Sequence, residues 1–283
     1  MREDWHENED GNRLLLLKYP LLERTGIVEH CFTTRLGGVS ADIFSTMNLS
    51  FTRGDEEAAV RENYRRLARA LGAEVGQFVC SDQTHTVNVR RVTAADAGKG
   101  LTRERDYRDV DGLITDEPGL VLSTFYADCV PLYLVDPVHR AIGMSHSGWR
   151  GTAARMGAVT LSAMQEAYGT RPEDVVCAIG PSICRDCYEV SADVADIFAE
   201  EFPGHEQEIL AESEKNSVGM AHADKKYQLD LWKANEIIFQ EAGVRKEHLA
   251  VTDICTCCNP KLLFSHRASH GKRGNLGGFL YLK

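Results

Sequence analysis

Three residues have the types and surroundings of a metal site or an activated nucleophile: His85 in SDQTHTVNV, Cys129 in FYADCVPLYLV and His146 in IGMSHSGWRG. Between the last two, Asp136-Pro137-Val138-His139 separates two apolar runs, and Asp then Pro suits the first two positions of a type I turn. A hairpin symmetric about the middle of those four residues sets Cys129 opposite His146, with Cβ atoms about 4.5–5.5 Å apart. That separation suits two ligands of one zinc, for which Zn–S is about 2.3 Å and Zn–N about 2.0–2.1 Å. Pro131 implies a bulge or an edge strand at this point. His85, from a third segment between strand-like runs, completes the three-ligand set typical of a catalytic zinc. Two other readings stand beside this one. Cys129 could be a nucleophile activated by His146, as in Cys-His hydrolases, or a buried cysteine beside two satisfied core histidines.

After His146 the chain runs through a glycine-containing loop, GWRG, into a helix expected to be capped near Thr152. Free N–H groups at that helix start, with Arg150 beside them, would form an anion site; the plainer alternative is a sharp turn whose arginine pairs with a surface carboxylate. Tyr126, Phe125 and Trp149 could stack on a planar base, although aromatics flanking strands more often belong to a core. Cys184-x-x-Cys187 and Cys255-x-x-Cys258 form two knuckle-like pairs, a spacing common in structural zinc sites. Their separation along the chain exceeds the usual ribbon spacing. That favours cysteines in buried turns, and one catalytic ion without a second, structural one.

The elements that must position these groups are legible in part. Short apolar runs predict strands at Leu120–Phe125, Val130–Val135 and Ala141–Ser145, with others at 29–33, 78–81, 87–92, 175–179 and 278–282. Apolar stripes of helical period predict helices over Asp55–Leu71, Thr152–Tyr168, Ser191–Phe202 and Leu229–Ala242. Asp55 and Thr152 are candidate N-caps, and Gly72, Gly169 and Gly243 candidate stops. The polar stretch 202–224 reads as a surface insertion or loop. Strands and helices interleave along the chain, so the fold class is α/β or α+β with a mixed sheet. With no repeat or linker composition, residues 1–283 read as a single domain, 1–25 as a peripheral N-terminal segment and 26–283 as the catalytic part.

Composition narrows the function. The chain has 283 residues, 43% apolar and 26% charged, with a formal charge of -10. This balance argues against nucleic acid or an anionic membrane as partner, but leaves room for a small anion held by local arginines. MREDWHENED lacks the basic and apolar regions of a signal peptide, which makes the cytoplasm the expected location. Nine cysteines in a reducing compartment read as thiols, ligands or nucleophiles rather than disulfides.

A set of motifs in fixed order carries a resemblance: TTRLGGVS (33–40) with MNLS (47–50), GD followed by VRENYRRL, QTH (83–85), DVDGLIT (109–115), ADCVPL (127–132), SHSGWRG (145–151), AIGPSICRDCYEV (178–190), and ICT with FSHR (254–267). From about residue 30 to its end the chain resembles the laccase-domain family, also called multicopper polyphenol oxidase or peptidoglycan-editing-factor proteins. The resemblance implies a mixed β-sheet sandwich with flanking helices, the cysteine-hydrolase-like fold of that family. It places zinc ligands on His85, Cys129 and His146. It also implies purine nucleoside phosphorylase activity on adenosine, inosine, guanosine and methylthioadenosine, with inorganic phosphate as co-substrate, and adenosine deaminase activity beside it. On this basis Arg35 and Arg150 hold phosphate, Asn48 contacts substrate, and His266 edges the pocket. Asp128 serves proton transfer or orientation of the site.

The chain departs from the family where many members have Gly-Arg-Met and this one has Gly274-Asn275-Leu276. The role of that arginine is then lost or moved to Arg273. Copper oxidation is disfavoured, because ten scattered histidines do not supply the paired motifs and axial ligands it needs. The alternatives are a Cys-His or zinc hydrolase acting on peptidoglycan precursors or amide bonds, and a metal-binding accessory protein without turnover.

Overall fold

A computed structural model of the chain describes residues 1–217 and 219–283. The strands gather into two six-stranded sheets and one small sheet. The first runs, in spatial order, β1 (Arg2–Glu7), β2 (Arg13–Lys18), β3 (Val28–Thr33), β15 (Leu276–Leu282), β7 (Val121–Tyr126) and β4 (Phe78–Cys80). Its pairs are antiparallel except β4 with β7. The second runs β14 (Leu249–Val251), β10 (Val176–Ile179), β8 (Val130–Asp136), β9 (Ala141–Ser147), β6 (Gly112–Thr115) and β5 (Val89–Arg91), with parallel pairs only at its two edges. The sheets are mixed, as the interleaved pattern predicts.

These two sheets face each other. Tyr133, Ile142 and Met144 of the second pack with Phe32, Leu122 and Leu280 of the first in one buried cluster. Tyr133 Oη donates across the interface to the Cys31 carbonyl at 2.9 Å, satisfying a hydroxyl that burial would otherwise penalise. A short helix, α1 (Pro20–Glu23), joins β2 to β3, and α2 (Glu57–Leu71) covers the outer face of the first sheet with Val60, Tyr64 and Leu67. The outer face of the second is covered by α3 (Trp149–Ala153), α4 (Met156–Tyr168), α5 (Ala192–Glu201) and, after the short α6 (Glu206–Ile209), α7 (Leu231–Glu241). The result is an α–β–β–α sandwich.

Several local expectations shift. Residues 1–25 are not wholly peripheral. β1 is an edge strand, but Leu14 to Leu17 of β2 are buried, because both faces of that strand meet apolar neighbours. Asp55 is not the N-cap of α2. That position falls to Glu56, while the Asp55 carboxylate accepts from Glu56 N and from Asn48 Nδ2. The predicted helix from Thr152 is two helices, broken where Arg155 takes a left-handed φ of 59°. Thr152 sits inside α3, its hydroxyl held against Ser147 Oγ at 2.9 Å. The stretch 202–224 contributes α6 and β12 (Leu210–Glu212), which joins β13 (Lys226–Leu229) and β11 (Glu189–Ser191) in the small sheet; Val218 lies outside the described residues. No described helix is long and apolar enough to cross a membrane.

Leu280 is fully buried between the two large sheets. Leu280→Ala should lower the unfolding free energy by about 2–5 kcal/mol. Urea unfolding checks this, and a midpoint equal to that of the unaltered protein would contradict the packing described.

Candidate metal centre and cavity

The hairpin carrying two of the candidate ligands is centred one residue later than the sequence suggests. Asp136 pairs with Ala141, so the loop is 137–140, and His146 faces Pro131 rather than Cys129. The Asp136 carboxylate accepts from Val138 N at 2.9 Å and His139 N at 3.1 Å, and Arg140 takes φ 50°, which fixes the shifted loop. The slip displaces the partner by two residues. A strand repeats every two residues, so Cys129 keeps the same face as His146 and becomes its diagonal neighbour.

Pro131 implies neither an edge strand nor a bulge here. β8 lies between β9 and β10, and the β8–β9 register runs without interruption from Val130 to Asp136. The Pro131 carbonyl accepts from Gly180 N at 2.8 Å, on the side where β10 has ended at Ile179, so the missing N–H breaks no ladder bond.

Cys129 enters β8 directly after Asp128, which holds a left-handed φ of 91°. His85 is also left-handed, at φ 67°. Such conformations are costly for residues with a side chain and persist where neighbours hold them. At His85 the holder is Asp111, a fully buried residue just before β6. Its carboxylate accepts from Thr84 N at 3.1 Å, His85 N at 3.2 Å and Thr86 N at 2.9 Å. The same Asp111 Oδ1 lies 2.8 Å from His146 Nδ1. One carboxylate therefore sets the loop that carries His85 and the ring of His146, leaving His146 Nε2 for another partner.

One donor atom from each of His85, Cys129 and His146 lies within 4.8 Å of the others. His85 Nε2 is 3.9 Å from Cys129 Sγ, and the imidazole rings stand 5.0 Å apart at 78°. A Cβ at Gly148 would come within 3.0 Å of His85 Cδ2 and 3.1 Å of Cys129 Sγ, so a side chain there would crowd two of the donors where α3 begins. Burial pushes the Cys129 thiol up, but His146 and His85 outweigh it and bring it below its ordinary value. Burial lowers His146, while the Cys129 thiolate and Asp111 raise it above the usual histidine range. The two imidazoles and a readily formed thiolate are the donor chemistry that zinc takes. Asp111 is the kind of outer partner that fixes a ligating histidine.

These donors line a cavity of about 410 Å³ together with Arg53, Arg105, Arg273, Gln83 and Phe125. Arg273 is 9% exposed, and among the described residues its Nε has no hydrogen-bond partner. Burial and the neighbouring Arg53 push its guanidinium down to about 10. Arg105 is tied to Asp82 at 2.6 Å.

Tyr126 also lines this cavity, whereas Arg35, Asn48, Arg150, His266 and Asp128 do not. Arg35 donates to the carbonyls of Ser45 and Pro260 and stacks over Phe264 at 4.6 Å. Asn48 is fully buried, and its side chain bonds Ser50, Asp55 and Asn275. Arg150 is exposed and stacks on Trp149 at 4.2 Å, in a separate shallow depression with Ile197 and Glu201. His266 is exposed, lowered by partial burial and by the charges of Arg273 and Arg53. Both Asp128 carboxylate oxygens are engaged, by Thr256 Oγ1 at 2.6 Å and Arg267 N at 2.7 Å, which fits orientation better than proton transfer. Sequence reasoning missed Asp111, Arg53 and Arg105. For Asp111 a signal existed: a carboxylate at the mouth of an apolar strand, in DVDGLIT, needs buried donors.

The chain matches a family model described as multi-copper polyphenol oxidoreductase laccase over residues 29–283. Purine nucleoside phosphorylase YlmD of Bacillus subtilis (strain 168) is 32% identical over 287 residues, covering 100% of this chain and 94% of the relative. Purine nucleoside phosphorylase YlmD of Geobacillus stearothermophilus is 36% identical over 252 residues, covering 88% of each. The crystal structure of YlmD from Geobacillus stearothermophilus superposes with a TM-score of 0.85 at 32% identity, covering 100% of both chains.

If Asp111 sets both histidines, Asp111→Asn should weaken zinc binding by about 10–100-fold. Competition against a chromophoric chelator measures this, and an affinity equal to that of the unaltered protein would remove Asp111 from the site.

Proposed function

The chain belongs to the multi-copper polyphenol oxidoreductase laccase family, and from that premise we propose that it is a zinc-dependent purine nucleoside phosphorylase. The observation that carries this reading is the convergence of His85, Cys129 and His146 in a cavity that Arg273 and Arg53 also line. Zinc bound by the three donors supplies a Lewis acid that can polarise a substrate oxygen. Relatives named purine nucleoside phosphorylase support the substrate class.

In the proposed reaction a phosphate oxygen forms a bond to C1′ of the nucleoside as the C1′–N9 bond breaks. The purine leaves with the proton that phosphate gives up, and ribose 1-phosphate remains. Adenosine, inosine, guanosine and methylthioadenosine all carry this bond. Arg273 and Arg53 are two neighbouring cations, and a phosphate between them relieves their repulsion. These two, rather than Arg35 and Arg150, are our candidates for holding it. Phe125, on the cavity wall, offers a face to the purine.

We carry adenosine deamination as a second reaction of the same site: water adds at C6, ammonia leaves and inosine results. The His/Cys donor set supports it, since zinc in such sites serves nucleobase deamination elsewhere. The cytoplasm is the proposed location, in keeping with nine free cysteines.

The lowered thiol of Cys129 beside His146 also suits a nucleophile, and the experiment separates the two readings. Incubated with inosine, the protein should release hypoxanthine only when phosphate is present, as read by chromatography; equal release without phosphate contradicts phosphorolysis. Cys129→Ala should lose the zinc of this centre together with turnover, whereas an unchanged zinc content with no turnover would favour the nucleophile. Arg273→Ala should keep zinc and raise the phosphate KM by about 10–100-fold, the loss of a charged hydrogen bond. An unchanged phosphate KM would remove Arg273 from phosphate binding.

A further inference from the structure

Cys184, Cys187, Cys255 and Cys258 each bring a sulfur to within 4.8 Å of the other three, although their distance in sequence favoured separate buried turns. We propose that these thiols form a second metal site, a tetrathiolate zinc clip distinct from His85, Cys129 and His146, that fastens together the two loops holding the Asp128 turn. The inference does not depend on the phosphorylase reading.

Two Cys-x-x-Cys turns, one from each loop, are the usual source of a closed four-sulfur site. Zinc–sulfur bonds of about 2.3 Å set the sulfurs of a tetrahedron about 3.8 Å apart, so a cluster whose sulfurs lie within 4.8 Å, with Cys187 and Cys258 at 3.4 Å, needs only small adjustments. Backbone donors are already aimed at one sulfur: Cys184 N lies 3.3 Å and Cys258 N 3.4 Å from Cys255 Sγ. Amide hydrogens directed at a sulfur stabilise the thiolate that a metal requires. Cys255 is nearly buried whereas Cys258 is exposed, which gives an ion a way in. Four thiolates this close repel one another unless a cation lies among them. A soft, all-sulfur tetrahedral set is the one that zinc occupies in structural sites.

The location gives the clip a purpose. Thr256 N donates to Ser182 O at 3.0 Å, joining the loops beside the cysteines. From one loop Ile183 N reaches the Asp128 carbonyl at 3.0 Å, and from the other Thr256 Oγ1 reaches the Asp128 carboxylate. Arg267, whose amide holds the other Asp128 oxygen, sends its guanidinium to the carbonyls of Cys187 and Glu189. The left-handed turn that presents Cys129 is thus gripped by residues adjacent to the four cysteines.

Zinc counted by elemental analysis on protein purified under reducing conditions tests the clip. The unaltered chain should hold two ions. Cys184→Ser with Cys258→Ser should hold one, Cys129→Ala one, and all three changes together none. If the Cys129 centre alone fails, the unaltered chain holds one ion that the serine pair removes, and the clip stands. Should the serine pair not fold, the unaltered protein loaded with cobalt still decides: charge-transfer intensity of about five cobalt–thiolate bonds per chain, four from the clip and one from Cys129, is expected. Intensity of a single bond overturns the clip. So does a zinc content that the serine pair leaves unchanged, or a mass short by two hydrogens that shows a Cys187–Cys258 disulfide, those sulfurs being 3.4 Å apart.

Discussion

The site depends on one buried carboxylate. Asp111 has no exposure, and an isolated charge there would be strongly disfavoured. It survives ionised because three consecutive amides and an imidazole donate to it, and His146 with those amides holds it below the usual carboxylate range despite burial. The reverse dependence matters as much. The loop 84–86, including the left-handed His85, is held by the same carboxylate through its three amides. Removing one member of such a buried set leaves the others unsatisfied, which typically costs about 3–5 kcal/mol.

The sandwich explains why these groups meet at all. β6 and β8 flank β9 in the second sheet, so the residues just before β6 and β8 and the end of β9 lie at one rim. Asp111, Cys129 and His146 come from those three places. His85 arrives in the loop leading toward β5, which pairs with β6. The first sheet closes the other side through Phe125 and Tyr126 at the end of β7, and the last loop before β15 adds Arg273. Both large sheets and the loops between their strands therefore contribute to one cavity, and a change that slides one sheet on the other would alter its shape.

Much of the architecture was legible because it rests on local periodicity. The helices over 57–71 and 156–168 end at Gly72 and Gly169, both with the positive φ that glycine accepts without strain. The central hairpin was legible in its pairing but not its register, since the Asp136 side chain accepts from the turn amides and the four-residue loop starts one residue later, which composition does not reveal. The error left Cys129 and His146 together only because a strand has a period of two. His85 had no comparable signal, its position being set by a carboxylate 26 residues later in the chain. Arg35 and Asn48 do not line the cavity. Both are polar residues in recognisable motifs, and both are consumed by backbone contacts that shape the loops. Arg273, named only as a substitute, is the buried cation facing the cavity.

The central claim is that His85, Cys129 and His146 share one ion. Diffraction from crystals of the zinc-loaded protein, recorded on both sides of the zinc absorption edge, addresses it without reference to activity. An anomalous peak is expected within bonding distance of His85 Nε2, Cys129 Sγ and His146 Nε2. Zinc located elsewhere in the molecule, with those three side chains bonded only to one another, would contradict it.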